Sequence, residues 1–200
     1  ATRDCQRINF DAEMLGAQVN AHTDKDHSAF HMSGLVDDAL ALLRMLADIV
    51  LSPTFPADEL ERERQVILHE FIEDDDDPLS VAFKLFDKTS WGAHTLALPV
   101  IGSRRNIERF TRDELLAYVQ RQYTGANLVV AVAGDVDPER IVREAEGCFG
   151  ALPRGNDNTV AAPQWVGGLA SRALSGTPQT HAVLGFPIAG LAGAFAPAVV

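Results

Sequence analysis

The chain is poor in cysteine, in positive charge and in long apolar runs. Its 200 residues hold two cysteines, Cys5 and Cys148. That excludes a disulfide scaffold and a Cys-ligated zinc site, and leaves either one bridge or two free thiols. Lys and Arg number 17 against 28 Asp and Glu, for a net charge of −11. Nucleic acid and anionic membrane surfaces both need basic patches, so neither is an expected partner. Apolar runs break well short of a bilayer span, so no transmembrane segment is expected. No signal-peptide pattern opens the chain, which begins at Ala1 rather than Met. The glycines near 185–193 do not follow a strand as G-x-G-x-x-G, which removes the usual dinucleotide cradle. With 46% apolar and 22% charged residues, the composition is that of a soluble globular chain.

What is present is strongly periodic. Residues 3–15 read as a helix closed by Gly16. Residues 17–23 alternate Val19, Ala21 and Thr23 against Gln18, Asn20 and His22, the period of a strand. A polar turn leads to a second strand with Ser28, Phe30 and Met32 on one side, so the pair predicts a hairpin. Residues 36–51 form an amphipathic helix with Leu40, Leu43, Leu46, Ala47 and Val50 inward and Asp37, Asp38, Arg44 and Asp48 outward. Pro56 suits the first turn of a helix over 57–74. A further helix runs over 79–90, and residues 91–106 read as a loop. Thr111 with Glu114 predicts a capping box on the next helix.

In the second half, NLVVAVAGD at 127–135 reads as a buried strand, and Asp137-Pro138 opens a helix to about 149. Residues 151–168 read as a linker-like loop. Strands are predicted at 170–175 and 179–186, and a Gly/Ala-rich segment, a candidate helix, follows. The two halves repeat a similar order if a strand precedes Ala1. The fold class is α+β, with helices on one face of a mostly antiparallel sheet.

The helix over 57–74 carries the sharpest candidates. "HEFIE", His69 to Glu73, fails as H-E-x-x-H because its fifth residue is Glu73. Projected at about 100° per residue, Glu63 and Glu70 fall on one side, between Val66 and Ile67, two turns apart. That sector is expected to face the core, where a carboxylate must be paired, hydrogen-bonded or metal-bound. The alternatives are two structural salt bridges to arginine or one acidic site. Other features have plainer readings. His27 and His31 lie on a partly exposed strand face, His22 borders a cleft, and His94 makes a local hydrogen bond. "EDDDD" at 73–77 is a solvated helix end without EF-hand spacing.

Three segments carry a resemblance: "LGAQVNAHTDKDHSAF", "DDALALLRMLADIVLSPTFPADELERERQVILHEF" and "WGAHTLALPVIG". In this order they resemble the M16 metallopeptidases, the pitrilysin, insulinase and mitochondrial-processing-peptidase group. "YTGANLVVAVAGDVDPERIVREAEGCFG" continues the likeness to about residue 150. The resemblance implies about one half of an M16 clamshell: a single, incomplete domain over 1–200. Its first part is 1–122, and its second is 123–200 with the loop at 151–168. It implies a zinc peptidase of the inverzincin type, in which H-x-x-E-H gives two His ligands and a base. A distal Glu completes the metal shell. Glu70 matches that ligand, Glu63 matches a supporting acidic residue assigned to the catalytic machinery, and Asn20, Ala21 and Thr23 match the strand that holds the peptide. The implied chemistry is peptide hydrolysis by a metal-activated water. The implied partners are a peptide substrate and a second M16 domain or subunit.

None of the six histidines begins H-x-x-E-H. Counting back from Glu70 by the family spacing places that motif before Ala1, so the chain reads as a fragment, inactive and zinc-poor by itself. The alternative is a non-catalytic M16 partner that binds without cleaving. The retained Glu63, Glu70 and "NAHT" favour the catalytic type.

Overall fold

A computed structural model describes residues 3–188. Among them are seven α-helices and one two-stranded antiparallel sheet, an α+β arrangement. The elements are α1 (Cys5–Met14), β1 (Gln18–Thr23), β2 (Ser28–Ser33), α2 (Ala39–Leu51), α3 (Ala57–Asp76), α4 (Pro78–Trp91), α5 (Arg104–Arg109), α6 (Arg112–Gln122) and α7 (Pro138–Phe149). Contacts divide the chain into two compact units. One holds residues up to Arg64 with Glu108–Val160, and the other holds Gln65–Ile107 with the described residues from Ala161. The backbone of α3 passes from one into the other.

In the first unit, α1 starts where the Asp4 carboxylate accepts the Arg7 amide at 2.7 Å. It stops at Gly16, whose φ of 59° is left-handed. There the Ala17 and Gly16 amides return to the carbonyls of Ala12 and Glu13, the double bond of a Schellman cap. The hairpin pairs Asn20 with His31, Ala21 with Phe30 and Thr23 with Ser28. Val19, Ala21 and Thr23 therefore share a face with Ser28, Phe30 and Met32, as the alternation predicts. Helix α2 packs on β2 and α7. Its buried residues are Leu42, Leu43, Met45, Ala47 and Val50, a wider stripe than the sequence suggests, because α2 meets neighbours on two sides. Nor does Asp48 face out: Arg3 Nη1 donates to it at 3.0 Å while Arg3 Nε donates to Asp11 at 2.8 Å. On the exposed rim, Arg44 joins α2 to α7 through a two-pronged pair with Glu144, at 2.5 and 2.8 Å. Cys5 and Cys148 are free thiols.

Helix α6 carries the predicted capping box. Thr111 Oγ1 accepts the Glu114 amide and Glu114 Oε2 accepts the Thr111 amide. The backbone hydrogen bond from Thr111 holds the Glu114 carboxyl below the usual carboxylate range. The early part of the 151–168 segment is not a free linker. Gly125 and Ala126 amides donate to the carbonyls of Pro153 and Arg154, and Asn127 bonds the backbone of Asn156 and Asn158. Backbone polar groups away from ladders still need partners, and here a neighbouring loop provides them.

In the second unit, Asp77 caps α4 by accepting the Ser80 amide at 2.8 Å, and Pro78 fills the first turn. Trp165 stands against Trp91 and Phe86, with ring centroids 5.6 and 6.2 Å away. The Val166 amide donates to the carbonyl of buried Ser90 at 2.8 Å.

Three strand expectations fail. Residues 127–135, 170–175 and 179–186 form no ladder. Apolar character alone does not make a strand; a hydrogen-bonding neighbour does, and none of the described residues pairs with these segments. Val129 and Leu184 are accordingly 91% and 85% exposed. Helix α5 lies where a loop is expected, and the Gly/Ala-rich candidate helix falls mostly outside the described residues.

Gly155 adopts a φ of 69°, and a Cβ there would strike the side chain of buried Thr124. Gly155→Ala is expected to lower stability by more than about 1 kcal/mol, since both the backbone and the space oppose it. The midpoint of urea unfolding checks this; an unchanged midpoint would show that the 124–127 and 153–158 segments separate freely.

Candidate functional site

The turn before α3 fixes where that helix begins. Phe55 adopts a φ of 42°, a left-handed value rare for a bulky residue. Arg112 Nε and Nη2 hold the Thr54 and Phe55 carbonyls at 2.9 to 3.1 Å. Pro56 sits just before the helix rather than in its first turn, and its carbonyl accepts the Leu60 amide at 2.8 Å.

Along α3, Phe71 is buried, and Leu60, Arg64, Ile67 and Leu68 are half-buried. That spacing of three and four marks the inward face. Glu63 and Glu70 are both exposed, and so is Val66, so their sector is not core-facing as the sequence projection suggests. Val66 misleads because an isolated apolar residue on a helix flank need not be buried. The helix arginines pair elsewhere: Arg62 with Glu59, and Arg64 with Glu61 and the Phe110 carbonyl. Lys84 pairs with Asp74 and Asp75 at the far end. The side chains of Glu63 and Glu70 have no hydrogen bond or ion pair among the described residues. The two-salt-bridge alternative therefore has no support among those residues, and two carboxylates remain on one side of a helix, two turns apart. His69 and Glu73 are exposed.

On β1, Asn20, Ala21 and Thr23 are exposed. Asn20 Oδ1 accepts the Ala21 amide at 2.8 Å, and Thr23 Oγ1 lies 3.2 Å from Ser28 Oγ. Among the described residues β1 pairs only with β2, so its other edge is open. The opposite face of the hairpin carries Asn20, His22, His27 and His31. The sequence reading already puts His27 and His31 on one strand face and treats His22 apart from them. The register adds His22 to that face. His94 is a local hydrogen-bonding residue: Nδ1 accepts the Leu96 amide at 3.1 Å and Nε2 lies 2.8 Å from the Ala161 carbonyl. Asp77, read as part of a solvated acid run, is a helix cap whose carboxyl the Ser80 amide holds below the usual range.

As the side chains stand, no three His, Cys, Asp or Glu among the described residues converge on a point that could hold a metal ion. Glu70 is a free, exposed carboxylate, of the donor type that zinc accepts. The described residues do not complete a zinc centre. No helix among them is long and apolar enough to cross a membrane.

The Asp26 carboxylate accepts His27 Nδ1 at 2.7 Å and raises the pKa of that imidazole. A raised folded pKa gives stability that is present below the unfolded pKa and is lost as pH rises through the folded one. In Asp26→Asn the His27 ring is expected to titrate at lower pH, and that small pH-dependent contribution should vanish. An NMR titration of the ring protons reads it; an unmoved His27 curve would mean the pair does not persist in water.

The chain is similar to several known proteins. Residues 1–104 match the family model described as Insulinase (Peptidase family M16), and residues 109–195 match the one described as Peptidase M16 inactive domain. A Rickettsia bellii protein described as an uncharacterized zinc protease is 30% identical over 185 residues, covering 92% of this chain and 45% of the relative. A probable mitochondrial-processing peptidase subunit beta from Schizosaccharomyces pombe is 31% identical, covering 81% of this chain and 36% of the relative. A crystal structure of a peptidase M16 inactive domain from Pseudomonas fluorescens superposes with a TM-score of 0.75 at 28% identity, over 81% of this chain and 40% of that one. The chain thus spans less than half the length of these relatives. It belongs to the M16 family of peptidases.

Proposed function

We propose that this chain is part of a zinc-dependent endopeptidase, in which Glu70 is a metal ligand and Glu63 supports it. The carrying observation is the pair of free carboxylates on α3, in a helix whose arginines are committed to Glu59 and Glu61. A cation near α3 would meet Glu70 without first breaking a salt bridge. Glu63, two turns away on the same side, adds negative charge that steadies a bound cation. When bound, zinc supplies a polarised carbonyl and an activated water. The open edge of β1 holds the peptide in extended form by backbone pairing, with Asn20, Ala21 and Thr23 at the contact. The remaining ligands and the base come from an H-x-x-E-H segment of the whole protein. The 200 residues alone bind zinc weakly and do not cleave. Relatives described as zinc proteases support this reading. A second M16 domain or subunit is the proposed partner that closes over the peptide, and 1–122 and 123–200 are the proposed two parts of the present half.

A second reading draws on the match to a model described as an inactive domain: a non-catalytic subunit that binds peptide without cleaving it.

The test compares full-length wild type, Glu70→Gln and Glu63→Gln by bound zinc and by cleavage of an unstructured peptide. Glu70→Gln should lose most of its zinc and at least about 100-fold in kcat/KM, in line with loss of a metal-held transition state. Glu63→Gln should keep more zinc than Glu70→Gln while losing activity. Unchanged zinc in Glu70→Gln removes the ligand role. A full-length wild type that binds peptide but neither zinc nor cleaves it establishes the second reading.

A further inference from the structure

Two arginines lock the starts of α3 and α6 to each other. Arg112 stands in the first turn of α6, and its Nε and Nη2 donate to the Thr54 and Phe55 carbonyls at 2.9 to 3.1 Å, just ahead of α3. Arg64 on α3 returns the contact: its Nη2 donates at 2.7 Å to the carbonyl of Phe110, just ahead of the Thr111 cap. All these residues belong to the first unit. Arg112 has a firm foothold, because the Thr111–Glu114 capping box fixes the backbone beside it. The Arg64 side chain is 14% exposed, so the second contact is largely sheltered from water.

The clamp runs against two local preferences. Positive charge is disfavoured at a helix N-terminus, yet the Arg112 guanidinium sits at that end of α6 and reaches that end of α3. Phe55 is held at a φ of 42°, a strain that persists only where the surroundings over-determine it and that gathers at functional sites. What the clamp fixes is the point and direction from which α3 sets out. The Pro56 carbonyl takes the Leu60 amide at 2.8 Å in the first turn. A helix turns about 100° and rises about 1.5 Å per residue, so a start one residue later would rotate Glu63 to another side. A tilt of about 10° at the turn would move Glu63, roughly 9 Å along the axis, by about 1.5 Å. A displacement of about 1 Å is enough to slow a reaction about 100-fold.

We propose that Arg112, braced by Arg64, is a positioning residue that acts through Glu63: it sets where that carboxylate stands. This rests on the peptidase reading above, in which Glu63 supports the metal ligand. Arg112 itself touches neither metal nor peptide. The clamp includes none of the peptide-holding residues of β1, so kcat rather than KM answers to it.

The experiment uses full-length protein and measures kcat, KM, bound zinc and hydrogen exchange of the Leu60 amide. Arg112→Ala should lower kcat at least about 10-fold with KM within about twofold, and should keep as much zinc as Glu63→Gln. Its Leu60 amide should exchange at least about 10-fold faster than in wild type. Combined with Glu63→Gln it should cost no further activity, because the two act in series, whereas an independent structural loss would multiply. Arg112→Lys should recover part of the rate, since an ammonium reaches one carbonyl where the guanidinium spans two. Arg140→Ala, at an exposed arginine of α7, should change nothing. Unchanged kcat in Arg112→Ala, or a loss that multiplies with that of Glu63→Gln, overturns the proposal. Should Arg112→Ala unfold, Arg112→Lys is combined with Glu63→Gln and judged by the same rule. A wild type that neither binds zinc nor cleaves removes the peptidase reading and the role through Glu63 with it. The Leu60 exchange in the same samples then shows separately whether Arg112 holds the turn.

Discussion

Burial of the apolar face of α2 is the constraint on which the first unit depends. Leu42, Leu43, Met45, Ala47 and Val50 are all taken out of water. Each such side chain is worth roughly 1.5–3 kcal/mol when fully buried, Ala less. Helix α2 gains that only by covering itself with β2 on one side and α7 on another. The demand passes to the hairpin. Phe30 and Met32 are half-buried on one face, which fixes the pairing register, because a slip of one residue would turn them out. The same register sends Asn20, His22 and His31 outward together. The polar face of the hairpin is therefore a consequence of packing beneath it.

Helix α3 works by a different balance. Its inward face is thin, with Phe71 its one buried residue, so packing alone supports it weakly. Charge does more of the work. Asp58 and Glu59 sit at its N-terminus, where the helix dipole favours them, and Lys84 neutralises two of the acids near its C-terminus. Exposed pairs of this kind contribute at most about 1 kcal/mol each. Their larger effect is to occupy Arg62 and Arg64. The side chains of Glu63 and Glu70 then stay unpaired and solvent-facing in the middle of the helix.

The sequence shows most helices with fair boundaries, because their signals are local. Gly16, Asp137 and the Thr111–Glu114 box act within a turn of themselves, and the structure uses each of them. The hairpin was equally legible from period-two alternation. What the sequence could not show were features set by distant partners. The apolar run at 127–135 has strand composition but no ladder. Asp48 looks solvent-facing until Arg3, 45 residues away, reaches it. The grouping of His22, His27 and His31 needs the register as well as the residues. On α3 the spacing of Glu63 and Glu70 was readable, whereas their exposure was not, since Val66 suggests a buried flank that the structure leaves open. Their assigned roles came from family resemblance rather than from spacing.

The open edge of β1 carries its own restraint. An unpaired strand edge invites any extended chain, including a second copy of itself. Here the Ala21 amide is already satisfied by the Asn20 carboxamide. A strand that claims the Ala21 amide must first displace that carboxamide, exchanging one hydrogen bond for another at little net gain. Backbone pairing at this position is therefore weakly driven by itself. A peptide held there under the proposed function would owe its affinity to side-chain contacts and to the partner domain. Chance association of other chains, which bring only the backbone, would stay weak.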